Sequence, residues 1–274
     1  MSVFRPSADR RPPYAVCAGT CAAAILLLTA CDTTSHTATG TRDVRVGATV
    51  SAGVAGPQAA GDRGRAAPGP YAPRISPREI PALGPRTRFA IPADSRQALV
   101  VTGGDYDSSL STAVLYTRDD PAQGWRAATE RWPARNALNG WTDEHWEDDL
   151  RTPTGVYGLT SAGGLLEPPG TMLPYNQSPS FAVSGEGFDG ESLEGSFDYV
   201  IAIDYNRTPG ASPLDQKRPL GQERGGGIWI HVDHDGPTQG CISLPEDRMR
   251  ELLKLLDPAK KPVVVMGDAQ GLER

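Results

Sequence analysis

Large apolar residues recur in short runs over the C-terminal two thirds of the chain. Four runs, "RQALVVTGG", "STAVLYTR", "FDYVIAIDYN" and "GGGIWIHVD", are rich in β-branched and aromatic residues and are bounded by turn residues, and "KPVVVMGD" adds a fifth near the end. Runs of this length and composition predict β-strands. We therefore expect a domain in which strands provide most of the core.

One segment, "SLPEDRMRELLKLLDP", has helical periodicity. Its apolar side chains fall on one face, and they are Met249, Leu252, Leu253 and Leu256. Ser243 and Glu246 have the spacing of a capping box, which predicts that the helix starts after Ser243. Together with the five runs, this helix predicts a mostly β (α+β) domain with at least one helix packed on the strands.

The first thirty residues have the pattern of an export signal. Three arginines precede the apolar run 15–30, which is short for a membrane span. The run ends in "LTAC", which resembles the lipobox of bacterial lipoproteins, where the chain is cut before the cysteine and the new terminus is acylated. We therefore predict a signal peptide over residues 1–30 and lipidation of Cys31. The alternative is an ordinary signal peptide in which Cys31 stands by chance.

Residues 31–85 have the composition of a tether. They consist mainly of Thr, Ser, Ala, Gly, Pro and Arg, with few large apolar residues and no sustained period. Such a segment cannot bury enough surface to offset its chain entropy, so we predict that it is disordered. The prediction is a folded domain over residues 86–274, tethered to the membrane outside the cytoplasm and facing the cell wall.

Charge excludes one class of partner. The net charge is −6 and the isoelectric point is about 5.3. Nucleic-acid binding depends on Lys and Arg side chains that neutralise phosphates, and no basic patch is present in this sequence. We expect no nucleic-acid partner.

Cys241 is the only cysteine in the predicted domain, so it has no internal disulfide partner. A helix that starts after Ser243 would favour a thiolate at Cys241, because a helix N-terminus attracts negative charge. His231 ends a predicted strand ten residues earlier and is the candidate general base. Gly240 has no side chain, so a substrate carbonyl can approach the N–H groups of Gly240 and Cys241, which are candidate oxyanion donors.

The segment "IHV" followed by "TQGCISL" resembles the signature of the L,D-transpeptidase catalytic domain, the YkuD-type family. In that signature a histidine that closes a strand precedes a Ser/Thr-x-Gly-Cys turn. The upstream segment "LRTPTGVYGLT" is also similar to the family, and the similarity spans residues 99–267. The resemblance implies a β-sandwich with one helix after the cysteine turn.

The resemblance also implies an activity on peptidoglycan stem peptides. The cysteine attacks the carbonyl of the third residue, a diamino acid, in a stem tetrapeptide and expels D-alanine. An amine of a neighbouring stem then takes the acyl group, which gives a 3→3 cross-link. No metal and no organic cofactor is implied.

On the matching positions, Cys241 is the nucleophile, His231 is the general base, and Gly240 with Cys241 provides the oxyanion donors. The family orients its base partly through a backbone carbonyl and a hydroxyl, and Thr238 is the candidate for that hydroxyl.

Two positions depart from the family pattern. Many members have His immediately before the Gly-Cys pair and Arg or Asn two residues after the cysteine, where this chain has Gln239 and Ser243. We therefore predict a divergent branch in which Gln239 and Ser243 contact the substrate. Trp229 lies two residues before His231 in the same predicted strand, so it points to the same face and is a third candidate for shaping the pocket.

Several other functions fit parts of this pattern. The "HVDHD" segment has the residue types of a zinc site, although strand alternation would separate His231 and Asp233 from His234 unless the strand ends first. His145 lies in an acidic run that is typical of a surface. The same acyl-enzyme would make an L,D-carboxypeptidase if water replaced the acceptor amine. A non-catalytic wall-binding lipoprotein, with Cys241 buried as a small apolar residue, is the remaining alternative.

Overall fold

The computed structural model describes residues 78–274. The predicted signal peptide, Cys31 and most of the predicted tether lie outside these residues. The described strands are β1 (Gln97–Gly103), β2 (Leu110–Thr117), β3 (Arg126–Ala127), β4 (Trp132–Arg135), β5 (Trp141–Thr142), β6 (Thr152–Pro153), β7 (Gly155–Gly164), β8 (Tyr175–Gln177), β9 (Val200–Ile203), β10 (Trp229–Val232), β11 (Ile242–Leu244) and β12 (Val263–Asp268). The α-helices are α1 (Pro85–Ala90), α2 (Glu246–Leu255) and α3 (Ala269–Leu272).

Ten of these strands form one sheet. Their order is β1, β12, β7, β9, β10, β11, β4, β2 and β3, with β8 beside β7, while β5 and β6 form a separate pair. β1 also pairs antiparallel with β2, so the sheet closes on itself. The mostly β class is confirmed, and where a sandwich was expected the strands form one sheet that closes through the pairing of β1 with β2.

The strand β1 shows why its sequence is apolar at nearly every position. Leu99 and Val101 are fully buried in the main core, while Ala98 and Val100 are buried on the opposite face in a second cluster. A strand that is covered on both faces loses the alternation of a half-exposed strand. The all-apolar run "ALVV" is the result.

The helix α2 packs on the sheet through the predicted face, since Met249, Leu252 and Leu253 are fully buried. The predicted capping box is wrong, however. Ser243 belongs to β11, and the residue that precedes the helix is Pro245, with no side-chain cap. Pro245 is fixed outside the helical conformation, and its carbonyl oxygen accepts hydrogen bonds from the backbone N–H groups of Arg248 and Met249 at 2.9 Å each.

The fold begins earlier than the predicted boundary at residue 86. Ile80 and Leu83 are 1% and 5% exposed, and they pack in the second cluster with Trp125 and Leu272. Within residues 78–274, no helix is both long and apolar enough to cross a membrane.

Candidate active site

The site is formed on the neighbouring parallel strands β10 and β11, which are four and three residues long. Ile230 lies beside Ile242, and His231 lies beside Ser243. Cys241 therefore sits just before β11, close to the start of β10, and the backbone N–H of Trp229 donates to its Sγ at 3.4 Å. Residues 233–240 return the chain from the end of β10 to the start of β11, so Cys241 lies level with Trp229 and two register positions from His231.

The thiol of Cys241 is held in its protonated form. Burial raises its pKa to about 11, and the hydrogen bond from Trp229 opposes this only in part. The S–H group also faces the carbonyl oxygen of Gly227 at 3.7 Å, a contact in which only a thiol donates. The prediction of a thiolate stabilised by the helix N-terminus is therefore corrected: α2 starts five residues later, and β11 lies between.

His231 is 3% exposed and neutral at physiological pH, because burial lowers its pKa to about 4. Its Nδ1 lies 2.8 Å from the carbonyl oxygen of Val232. Since a carbonyl only accepts, Nδ1 carries the proton and Nε2 has the free lone pair that a general base needs. A backbone carbonyl thus selects the tautomer of this histidine.

Both residues line one cavity of about 380 Å³. Its wall also includes Gly240, Gln239, the glycine segment 226–227 and residues of the segment 183–197. No hydrogen bond joins the side chains of Cys241 and His231, both of which the structure describes. Without substrate they are therefore two neutral side chains that line the same cavity.

Gly240 and Cys241, whose N–H groups are the candidate oxyanion donors, both line this cavity. Among the described residues, neither the N–H of Gly240 nor that of Cys241 donates a hydrogen bond to protein. A Cβ at Gly240 would lie 3.0 Å from Cδ1 of Ile228, so a side chain would crowd this turn. Free N–H groups beside a nucleophile are the arrangement that stabilises a tetrahedral oxyanion.

The family model for the L,D-transpeptidase catalytic domain (YkuD) matches residues 105–265, which include the whole site. The chain belongs to this family. Searches of curated proteins and of solved structures gave no match. The match establishes L,D-transpeptidase-family catalytic function in general and peptidoglycan peptides as the kind of partner.

Thr238 has a different place in this YkuD domain from the one predicted. Its hydroxyl donates to the carbonyl oxygen of Cys241 at 2.7 Å and makes no hydrogen bond to His231. The hydroxyl of Thr152 lies 3.5 Å from the same carbonyl. Thr238 therefore holds the cysteine turn, and the base takes its orientation from Val232.

The three predicted substrate-binding residues fall in different environments of the YkuD domain. Gln239 is exposed and lines the cavity. Ser243 is fully buried and donates to Oδ1 of Asp233 at 2.8 Å, so its assignment to the substrate is corrected. Trp229 packs against Phe181 and Phe197 with ring centroids 5.6 and 5.2 Å apart. Its ring is not part of the cavity lining but contacts Phe197, which is, and its backbone N–H reaches Sγ of Cys241.

The cavity of the YkuD domain also contains residues that the sequence did not predict. His145 was expected at the surface, but it is 4% exposed, lines the cavity and meets the ring of Tyr205 edge to face. Its Nδ1 lies 3.0 Å from Oδ1 of Asp149, out of hydrogen-bond alignment. Burial lowers the pKa of His145, although Asp149 opposes the shift. Nothing in the local pattern "TDEHWEDD" distinguishes this histidine from a surface one.

His234 is the other unexpected residue, because it lies on the same side as His231. The two rings stack with centroids 5.7 Å apart and planes 4° apart. β10 ends at Val232, so strand alternation no longer applies two residues later. Asp233 turns away to Ser243 and to Arg135, whose Nε lies 3.3 Å from its Oδ2. Within residues 78–274, no group of three or more His, Cys, Asp or Glu side chains is placed to hold a metal ion.

Proposed function

We propose that the protein is a peptidoglycan L,D-transpeptidase that forms 3→3 cross-links by acyl transfer through Cys241. The observation that carries this proposal is that Cys241, His231 and Gly240 line one cavity. Nucleophile, base and oxyanion donors are the parts that acyl transfer requires.

The first half-reaction forms a thioester. Sγ of Cys241 attacks the carbonyl carbon of the third residue of a stem tetrapeptide, and its proton passes to Nε2 of His231. The N–H groups of Gly240 and Cys241 hold the oxyanion. When the intermediate collapses, the C–N bond breaks, and D-alanine leaves with the proton from His231. Because both side chains are neutral at rest, the proton moves during the attack.

The second half-reaction restores the enzyme. The amine of an acceptor stem gives a proton to Nε2 of His231 and attacks the thioester carbonyl. The C–S bond breaks, and the thiolate takes the proton back from His231. The product is an amide between two third-position residues, and both catalytic side chains return to their neutral forms.

The charge of the cavity wall supports a donor with an amino group on its side chain. Glu147, Asp148 and Glu186 line the cavity, and no Lys or Arg does. Negative groups around a cleft raise the local concentration of a cationic substrate. A third-position diamino acid carries such a cation, so a tetrapeptide with an uncharged third side chain should show a lower kcat/KM.

The decisive experiment uses the purified protein with a labelled tetrapeptide, with and without acceptor stems, and identifies products by mass. The proposal expects D-alanine release, a thioester on Cys241 and a cross-linked product that requires the acceptor. Cys241→Ala and His231→Gln should each abolish turnover. Turnover in Cys241→Ala would overturn the proposal.

The two alternatives give different products in the same experiment. Tripeptide alone, even with excess acceptor, would identify an L,D-carboxypeptidase. Binding of peptidoglycan without any adduct or product would identify a non-catalytic wall-binding protein. Loss of activity with a chelator would indicate the metal mechanism.

We also propose that the protein acts outside the cytoplasm as a lipoprotein anchored through Cys31. Support comes from the apolar run 15–30 and the sequence "LTAC" that ends it. Labelled fatty acid should enter the protein, and Cys31→Ala should remove the label and move the protein from the membrane fraction. Label that persists in Cys31→Ala would refute the anchor.

A further inference from the structure

A second histidine and a carboxylate form a chain behind the general base. His234 stacks on His231, and its Nδ1 lies 2.9 Å from Oε1 of Glu191. Both side chains are nearly buried, at 6% exposure for His234 and 11% for Glu191. Neither residue is needed as nucleophile, base or oxyanion donor, so their burial beside the site requires another explanation.

Glu191 is tightly enclosed. A Cβ at Gly187 would lie 1.9 Å from its Oε1, and a Cβ at Gly236 would lie 1.8 Å from the same atom. Its Oε2 accepts the backbone N–H of Asp189 at 2.8 Å. Burial alone would raise the pKa of Glu191, but backbone N–H donors and His234 outweigh it and lower the pKa below its usual value. The side chain is therefore an ionised carboxylate aimed at His234.

The base needs a fixed orientation because its Nε2 must meet the proton of the thiol in a buried place. His231 is held by the carbonyl of Val232, by the edge-to-face ring of Phe197 at 5.3 Å and by the stacked ring of His234. Asp233, the nearest acid in sequence, is bound to Ser243 and Arg135. Glu191 is the carboxylate that is linked to His231 through an intervening ring.

We propose that His234 and Glu191 are positioning residues that hold the ring of His231 in the orientation that proton transfer requires. This inference rests on the proposed function. Glu191 fixes the orientation of the His234 ring, and that ring limits the tilt of His231. Glu191 lies in the segment 183–197, which also lines the cavity, so the chain ties the cavity wall to the base.

Two substitutions test the two links. Glu191→Gln keeps the shape and removes the charge, and His234→Phe keeps the stacked ring and removes the bond to Glu191. Each should lower kcat for tetrapeptide about tenfold or more with less than about a threefold change in KM, because a charge-assisted hydrogen bond is lost. The double variant should be no slower than the slower single variant, since both changes break one chain. Asp189→Asn is the matched control, because it removes an exposed charge from the same loop, and it should keep the wild-type kcat.

The outcomes separate this inference from the proposed function. Wild-type turnover that requires Cys241, with equal kcat in Glu191→Gln and Asp189→Asn, would overturn the positioning role and leave the transpeptidase intact. A rise in KM with unchanged kcat would also overturn it, since that pattern indicates loss of substrate binding. Absence of turnover in the wild type would count against the proposed function itself. In that case, acylation of Cys241 by a carbapenem, measured by mass spectrometry, supplies the readout, and equal acylation rates in Glu191→Gln, His234→Phe and Asp189→Asn would overturn the positioning role.

Discussion

Burial controls the protonation of the two residues that exchange a proton in the proposed reaction. It raises the pKa of Cys241 to about 11 and lowers that of His231 to about 4, so each is neutral near pH 7. Many reactive cysteines are instead activated as thiolates by nearby positive charge. In the proposed reaction the proton leaves the thiol only when an acyl carbon is in place, so the resting thiol reacts slowly with other electrophiles.

The first prediction follows from this neutral thiol. Iodoacetamide reacts with thiolates, so Cys241 in the folded protein should react more than about tenfold more slowly at pH 7 than the cysteine of a free peptide of residues 238–244, whose pKa is about 8.5. The rate for the protein should still rise between pH 9 and 10, where the peptide approaches its plateau. The iodoacetamide adduct on Cys241 is measured by mass spectrometry. Equal or faster reaction of the protein at pH 7 would contradict a raised pKa.

The second prediction concerns the hydroxyl that holds the cysteine turn. Thr238→Val removes the hydrogen bond to the carbonyl of Cys241 and should lower the free energy of unfolding by about 1 kcal/mol. It should also lower kcat, because the nucleophile and oxyanion donors share this turn. Thr238→Ser keeps the hydroxyl and should retain most activity. A Val variant with the full kcat of the wild type would show that the turn is held without Thr238.

At the scale of elements, the pairing of β10 with β11 brings the site together. Parallel neighbours place His231 beside Ser243, and the turn between them carries Thr238 to Cys241. Behind the pair, Ser243 binds Asp233, and Asp233 binds Arg135 at the end of β4. These contacts link the adjacent strands β10, β11 and β4 beside the cavity.

The third prediction tests this element-scale role of Ser243. Ser243→Ala leaves a carboxylate oxygen of the partly buried Asp233 without its donor and should lower the free energy of unfolding in urea by about 1–3 kcal/mol. Glu246→Gln should change stability by less than about 0.5 kcal/mol, since Glu246 takes part in no capping box and is largely exposed. Equal losses for the two variants would restore the capping interpretation. A double-mutant cycle with Asp233→Asn should show coupling for Ser243.

At the scale of the whole molecule, residues 78–85 belong to the folded unit. Ile80 and Leu83 complete a cluster that covers the outer face of β1 and β12. Closure of the sheet through β1 and β2 encloses the main core, and this second cluster buries the faces that closure leaves outside. The part of the chain that precedes the predicted domain boundary thus contributes to stability.

The fourth prediction measures this contribution in the full chain. Ile80→Ala should lower the free energy of unfolding by about 2–4 kcal/mol, because it removes a fully buried side chain. Phe89→Ala is the matched control, since Phe89 is 93% exposed, and it should change stability little. Thermal unfolding of both variants provides the measurement. If Ile80→Ala were as stable as the control, the second cluster would not be part of the cooperative fold.

The local hydrophobic pattern correctly predicted the strands made of apolar runs and the buried face of the helix. The apolar runs correspond to β1, β2, β9, β10 and β12, and the face of α2 is buried as its period requires. Ser243 and Glu246 match a capping box locally, but the pairing of β11 with β10 engages Ser243 in a strand, so α2 starts later than that pattern predicts. A tertiary partner there outweighs a local preference of about 1 kcal/mol.

The residues of the candidate site also fall into two groups, those that the sequence predicts and those that only the structure reveals. The sequence by itself determined the family, the cysteine turn and the histidine that closes a strand, because those features are contiguous and each depends on residue type. Only the tertiary structure decided that His145, His234 and Glu191 lie beside the cavity, that Ser243 does not, and that thiol and imidazole are both neutral. Burial and contacts between distant segments set ionisation and ring orientation, and neither is encoded in the neighbours of a residue along the chain.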